Sequence, residues 1–303
     1  MKDFAGKVAV VTGAASGMGL AFAHRFADEG MNIVLADIES EPLAMAEAAI
    51  TAKGGKAIAV RTNVMHEDEM NRLADRAFST FGNVHILCNN AGVAGGTQGL
   101  PVWEQPLSNW EWVLGVNFMG VLYGVRAFVP RMIENGEEGH IVTTASLAGL
   151  LTSANPYGVS KHGAVCLAEG LYKEFKIRGL KLSASVLCPG WVDTNIIDSE
   201  RNRPQEFGPG ADLTKLPPDA RQQMEAVRGL LKGGFPPSEI AERVFEAVRD
   251  DQFYIIPSQP EFVDLLNQRL DDIRERRNPT IARVFDQPGS AAAQTSTNQG
   301  RNQ

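Results

Sequence analysis

Cysteine is scarce in this chain: Cys88, Cys166 and Cys188 are the only three in 303 residues, and no C-x-x-C pair occurs. An odd, scattered set argues against a disulfide framework and for a reducing, cytoplasmic setting. All three lie among apolar neighbours and read as buried, inert thiols. Positive charge is short as well. Lys and Arg number 29 against 36 Asp and Glu, for a formal net charge of −7. That balance argues against a polyanion-binding surface, which needs clustered cations. Arg274, Arg276 and Arg277 are interleaved with Asp271, Asp272 and Glu275, so no basic run forms. Long apolar runs are missing too. No segment reaches the ~18 residues of a membrane span, and the opening Met-Lys-Asp-Phe carries no apolar leader. Neither nucleic acid nor membrane is an expected partner, and no metal site is read.

What is present is an ordinary core-forming composition, 44% hydrophobic and 21% charged. Short apolar runs alternate with longer helical patterns. Lys7–Thr12, Asn32–Asp37, Lys56–Val64, His85–Asn89, His140–Ser146, Leu182–Cys188 and Phe253–Pro257 read as strands. They show little alternation, as expected of a sheet covered on both faces. Between them Gly17–Glu29, Glu41–Lys53, Glu67–Phe81, Leu107–Asn135, Tyr157–Arg178 and Ser238–Asp250 are long enough for crossover helices. On the first, Met18, Phe22 and Phe26 recur every four residues and mark a core-facing stripe. This alternation predicts an α/β fold, a doubly wound parallel sheet of about seven strands with helices on both faces.

The chain reads as one domain over 1–285, with two departures from the rhythm. Residues 191–237 are rich in Pro and Gly yet carry Ile196, Ile197, Phe207, Leu230, Leu231 and Phe235, which suits a lid over a site. From Asp286 to Gln303 the composition is too polar to bury a core, and a disordered tail is expected.

The first strand runs into Thr12-Gly13-Ala14-Ala15-Ser16-Gly17-Met18-Gly19. Gly13 permits a sharp strand-to-helix turn, and the later glycines allow close approach by a ligand. A helix opening at Gly17 aims unpaired N–H groups at the turn, a setting for a pyrophosphate over Gly13, Ser16, Gly17, Met18 and Gly19. Asp37 ends the second strand, where a carboxylate accepts bonds from ribose hydroxyls and repels a 2′-phosphate. Neither Ile38 nor the Ala14–Ser16 turn supplies a cation, so NAD is favoured over NADP. Asn63 and Val64 end the third strand near the expected adenine; binding and simple strand termination are both compatible with them.

Tyr157 and Lys161 are spaced i, i+4 and share one helix face. A phenol titrates near ~10, too high for a base at neutrality. An ammonium about 4 Å away contributes ~4 kcal/mol at an effective dielectric of ~20, roughly three pKa units.

These residues together resemble the short-chain dehydrogenase/reductase family. Its signatures appear in order: the TGAASGMG turn, Asn89-Asn90-Ala91-Gly92, Asn117, Ser146, Tyr157 with Lys161, and CPGWVDT over Cys188–Thr194. The resemblance covers roughly Gly6–Gly190, more loosely to Pro257, and implies a Rossmann-like fold. It implies that Tyr157 exchanges the proton of a secondary alcohol or ketone, Ser146 polarises the oxygen and Lys161 tunes Tyr157 and holds the nicotinamide ribose. Asn117 would hold a relay water. Asn90, Ala91, Gly92, Pro189, Gly190, Val192 and Thr194 would line the cofactor. Asn63 departs from the aspartate frequent there. The opening MKDF, FVPRMIENG, GHIV and FYIIP further resemble a bacterial branch that oxidises benzylic alcohols of aryl ethers.

For the substrate, Trp103, Leu147, Leu150, Leu151 and Trp191 offer apolar surface, which suggests a neutral, bulky, apolar or aromatic compound. Ser146, Leu147, Tyr157 and Trp191 are its expected contacts. Arg201 and Arg203 leave room for an acidic group at the outer end. Val113, Val116, Gly120, Val121, Gly124 and Phe128 on one helix suggest a face for a homodimer or homotetramer. Alternatives are a ketoreductase using NADPH and a cofactor-binding sensor without turnover.

Overall fold

The computed structural model describes residues 1–96, 100–209 and 218–281. The expected tail at 286–303 and the centre of the expected lid lie outside them. Contacts divide the chain into two units, Met1–Pro257 and Ser258 onward.

The first unit is built on seven parallel strands: β1 (Val8–Thr12), β2 (Asn32–Asp37), β3 (Ala57–Arg61), β4 (Ile86–Asn89), β5 (Gly139–Thr144), β6 (Leu182–Leu187) and β7 (Tyr254–Ile255). Their spatial order is β3-β2-β1-β4-β5-β6-β7, with register Val8↔Asn32, Ala9↔Ile86 and Gly139↔Leu182. The central strands are buried throughout, which explains their lack of alternation. The order reverses beside β1, so the connections leaving β1 and β4 run to opposite faces of the sheet and a crevice opens between them at the carboxyl ends of these paired strands.

Two helical layers cover the sheet. On one face α1 (Gly17–Asp28), α2 (Ser40–Ala52) and α9 (Pro237–Asp250) bury Phe22, Phe26, Leu43, Ile50 and Val244. On the other, α3 (Glu67–Phe81), α4 (Leu107–Leu114), α5 (Gly120–Asn135) and α7 (Pro156–Ile177) bury Met70, Leu73, Trp112, Phe128 and Phe175. Between α4 and α5 the chain makes one turn of π-helix, Gly115–Met119, so the expected helix Leu107–Asn135 is continuous but locally widened and underwound. Among the described residues it alone is long and apolar enough to cross a membrane, contrary to the expectation that no segment is. Half of its apolar window is buried inside the chain, because that face covers the sheet. Val113, Val116, Val121 and Phe128, expected to help pair a second subunit, are buried there too.

Three local features differ from expectation. A short helix α6 (Leu147–Leu151) opens at Ser146, and Pro218–Lys232 (α8) is helical where an irregular lid was expected. Its Pro sits at the helix start, where a missing N–H costs nothing, and so conceals the helical pattern that follows. Cys166 is exposed while Cys88 and Cys188 are buried, because Cys166 falls on the outer face of α7. In the second unit, α10 (Pro260–Arg274) is closed by Asp272, whose carboxylate accepts the Thr280 N–H at 2.8 Å.

Candidate active site

The glycine turn is shaped by contacts that leave no room for side chains. Gly13 has φ +67°, and a Cβ there would lie 2.9 Å from the Ala91 Cα. At Gly19 a Cβ would stand 2.1 Å from the Gly13 carbonyl oxygen, so α1 starts directly against the turn. At Gly17 it would meet the Thr194 methyl at 3.2 Å, which brings the segment after β6 over the start of α1. Ser16 makes no side-chain cap bond and the first turn of α1 holds no acid. Its N–H groups and partial positive charge are therefore left for an anion.

Asp37 sits across this turn. Its Oδ2 accepts the Ala15 N–H and its Oδ1 the Glu39 N–H, both at 3.0 Å. These bonds fix the carboxylate and leave each oxygen further lone pairs for hydroxyl donors. Asn63 is engaged locally: its Oδ1 accepts the Met65 N–H at 3.1 Å while Glu69 takes its backbone N–H. That makes it a turn former, and Val64 packs where a Cβ on Gly120 would approach within 2.9 Å. Glycine cradle, uncapped helix start and fixed acidic strand end together fit an adenine dinucleotide.

The floor of the crevice is tied by a residue that sequence reasoning passed over. Thr12 Oγ1 accepts the N–H groups of Asn90 and Ala91 at 2.9 and 3.1 Å and donates to the Cys88 carbonyl. Asn90 returns its Nδ2 to the Thr12 carbonyl at 3.0 Å and accepts Thr144 Oγ1 at 3.1 Å. One amide thus joins the ends of β1, β4 and β5.

Beyond it lies a second knot. Asn117, fully buried in the π-turn, accepts the Val93 N–H at 2.8 Å and donates to the Val93 carbonyl and Ser160 Oγ at 2.9 and 3.1 Å. Its side chain is therefore committed to protein partners. A Cβ on Gly92 would lie 3.3 Å from Lys161 Nζ and 3.4 Å from Asn117 Oδ1, so glycine there lets the two approach. Lys161 Nζ donates to the Thr144 carbonyl at 2.9 Å, and burial pushes its ammonium down to about 8.

Tyr157 is the second residue of α7, set by a cap in which Asn155 Oδ1 accepts the Gly158 N–H at 2.8 Å, with Pro156 at the first position. Ser146 Oγ caps α6 by accepting the Ala148 N–H at 3.2 Å, which leaves its own O–H to donate to the Tyr157 hydroxyl. Burial pushes the phenol up and the Ser146 bond pulls it down. Lys161, expected to tune Tyr157, stands on the same side of the crevice as the tyrosine ring. The ammonium, 5.8 Å from the tyrosine ring centroid, is turned toward Thr144. Behind Ser146, Cys188 takes its backbone N–H, and burial holds that thiol protonated, up at about 12. The Pro189 carbonyl accepts the Leu147 N–H at 3.0 Å, and Gly190 donates to the Pro257 carbonyl at 2.8 Å, so the β6 end is pinned beside Ser146. Val192 is buried and bridges Phe235.

The segment after Thr194 is anchored on both sides of the crevice. Ser199 Oγ and Glu200 Oε1 accept the N–H groups of Ala94 and Gly96 at 2.9 and 2.8 Å. Arg203 stacks 5.0 Å from the Trp112 ring and bonds Asn109, Ser108 and two carbonyls. Arg201 pairs with Glu39. The Arg203 side chain is buried among these partners, whereas that of Arg201 remains partly exposed. Leu147 is buried and Trp191 half-buried, whereas Trp103 is 81% exposed and belongs to the outer surface.

The comparisons agree with this geometry. The family model for short chain dehydrogenases matches residues 7–205. The chain is 36% identical to a 1-deoxy-11-beta-hydroxypentalenate dehydrogenase of Streptomyces exfoliatus over 88% of each chain. It is 33% identical to a C alpha-dehydrogenase of Sphingobium sp. over 85% of this chain and 82% of the relative. A short-chain dehydrogenase/reductase of Burkholderia phymatum, solved in complex with NAD, superposes with TM-score 0.86 at 40% identity, covering 93% of this chain and 99% of that one. The chain belongs to the short-chain dehydrogenase family and is an oxidoreductase acting on hydroxyl groups.

Proposed function

We propose that this protein interconverts a secondary alcohol and its ketone with NAD(H), Tyr157 exchanging the proton at the substrate oxygen. The observation that carries the reading is Lys161, bonded to the Thr144 carbonyl at the end of β5 at 2.9 Å with its ammonium 5.8 Å from the Tyr157 ring centroid, beside the glycine cradle and Asp37. NAD, when bound, supplies the hydride acceptor. Every other task falls to side chains. Asp37 takes the adenosine ribose hydroxyls, and the N–H groups over Gly13–Gly19 take the pyrophosphate. Gly92, Pro189, Gly190, Val192 and Thr194 border the nicotinamide side.

In the oxidation direction Tyr157 Oη receives the proton of the substrate hydroxyl while Ser146 Oγ donates to the same region and stabilises the developing charge. The start of α7, at Asn155–Tyr157, adds a positive partial charge that favours phenolate. Lys161, reaching Thr144 past Gly92, holds the nicotinamide ribose. Asn117 acts by position: its side chain shapes the π-turn, and a relay water would meet backbone there instead of the amide. Turnover with Tyr157→Phe is expected to be abolished while NAD affinity, measured by calorimetry, stays near wild type. A variant retaining most of its activity sinks the mechanism.

The substrate in this reading is bulky and apolar or aromatic, contacting Ser146, Leu147 and Trp191. The names of the relatives, a pentalenate and a C alpha-dehydrogenase, support that class. Screening aryl and alicyclic alcohols with NAD at alkaline pH, followed at 340 nm, tests it. A homodimer or homotetramer in a cytoplasmic setting completes the proposal, and light scattering on the purified chain checks the first part. Asp37 disfavours the NADPH reading: Asp37→Ala should raise KM for NAD far more than for NADP.

A further inference from the structure

We propose that Glu39 and Arg201 form a second specificity element at the adenosine end of the site, Glu39 occupying a guanidinium that would otherwise receive a 2′-phosphate. The inference deepens the NAD reading above and rests on it.

Arg201 lies on the 3₁₀ stretch Ile196–Asn202, far in sequence from the β2 end, yet its side chain reaches back to it. Nε and one terminal nitrogen meet the two oxygens of Glu39, each at 2.9 Å, in a bidentate fork. The other terminal nitrogen donates to the Asp198 and Asn195 carbonyls at 3.1 and 3.4 Å. Glu39 is two residues past Asp37, and its N–H is one of the two that fix that carboxylate. Arg201 and, after it, Asn202 hold the Glu39 carboxyl below the usual carboxylate range, while Glu39 first and Asp37 further off raise the guanidinium. Arg201 therefore stands within electrostatic reach of the residue that takes the ribose hydroxyls.

The charge arithmetic follows. With Asp37 and Glu39 ionised and Arg201 positive, these three side chains carry one net negative charge, which disfavours a dianionic 2′-phosphate beside them. Removing Asp37 alone leaves a closed Glu39–Arg201 pair with no net charge. Removing Glu39 as well frees a planar fork suited to phosphate. The pair is partly exposed, its side chains 39% and 23% accessible, so breaking it should leave the fold intact. Arg61, opposite Asp37 in the β2–β3 register, is a neighbouring cation with no such fork and provides the control.

The test is equilibrium binding of NAD and NADP, by calorimetry, to full-length wild type, Asp37→Ser, Asp37→Ser/Glu39→Gln, and that double variant with Arg201→Ala or Arg61→Ala. The double variant should bind NADP roughly ten- to hundredfold tighter than Asp37→Ser, the range of a hydrogen bond to a charged group. Arg201→Ala should cancel that gain and Arg61→Ala should keep it. The inference is overturned if Glu39→Gln changes NAD and NADP affinity by equal factors, or if the gain survives Arg201→Ala. Absence of NAD binding by the wild type would instead remove the reading beneath it. Matching melting temperatures across the set establish that all variants are folded.

Discussion

Asn117 and Val93 bond each other twice, the amide oxygen taking the Val93 N–H at 2.8 Å and the amide nitrogen giving to the Val93 carbonyl at 2.9 Å. An amide carries its donor and acceptor on separate atoms side by side, so one side chain satisfies both backbone groups of Val93 where the chain leaves β4 and passes the π-turn. The loop after Gly92 is thereby clamped to the long helix, and Ser160 is drawn in from α7.

Truncation to Asn117→Ala should therefore be costly. It leaves a buried N–H and carbonyl of Val93 without their partner, about 1–3 kcal/mol for each group. Urea denaturation should show a loss of about 2–6 kcal/mol for the two groups together, with turnover falling as the loop loosens. A loss below about 1 kcal/mol would mean that water replaces the amide.

The alcohol-oxidation rate should depend on pH through Tyr157. Burial raises this phenol and the Ser146 hydroxyl lowers it, so kcat/KM for oxidation should climb with pH in the alkaline range. Ser146→Ala removes the lowering bond and should move the rising limb to higher pH, besides slowing the reaction. A limb that stays in place would separate Ser146 from the titrating group.

Lys161 makes a stability prediction of definite sign. Burial takes its folded-state value down to about 8 from 10.5. Below pH 8 both folded and unfolded chains hold the proton, and the full cost of burying the charge is present. Between the two values the unfolded state binds more protons, so stability rises with pH there. Relative to Lys161→Met, wild type should gain up to about 1.4 kcal/mol per pH unit across that window. Chemical denaturation of both chains from pH 7 to 10.5 checks the slope.

The two inner glycines of the turn should differ. At Gly19 an added methyl would stand 2.1 Å from backbone, the Gly13 carbonyl, whereas at Gly17 it would meet a Thr194 methyl at 3.2 Å. Side chains yield and backbone does not, so Gly19→Ala should be the more destabilising, by about 1–3 kcal/mol. Gly17→Ala should keep more of the fold, with strain at φ +54° and weaker NAD binding. Thermal melts and calorimetric titration of both variants decide it.

Local patterning made much of the molecule legible. Strand–helix alternation announced a doubly wound parallel sheet, and the glycine spacing with Asp37 at the β2 end announced the cradle. Residues at strand ends and at i, i+4 on one helix were placed because period alone determines where their side chains point. Other features have no local signature. Cys166 shares the apolar neighbourhood of Cys188 in sequence, and only the packing of α7 leaves it exposed. Thr12 looked like part of a turn until β4 came alongside and gave it two N–H groups to accept.

The sequence by itself determined the fold class, the order of the candidate catalytic residues and the acidic residue at the end of β2. These are carried by propensity, period and residue type. The tertiary structure alone decided that Lys161 turns to Thr144 and that Arg203 locks onto α4. It alone set Arg201 against Glu39, 162 positions apart. Such contacts join segments with no sequence relation, and their geometry exists only once the sheet has brought the strand ends together.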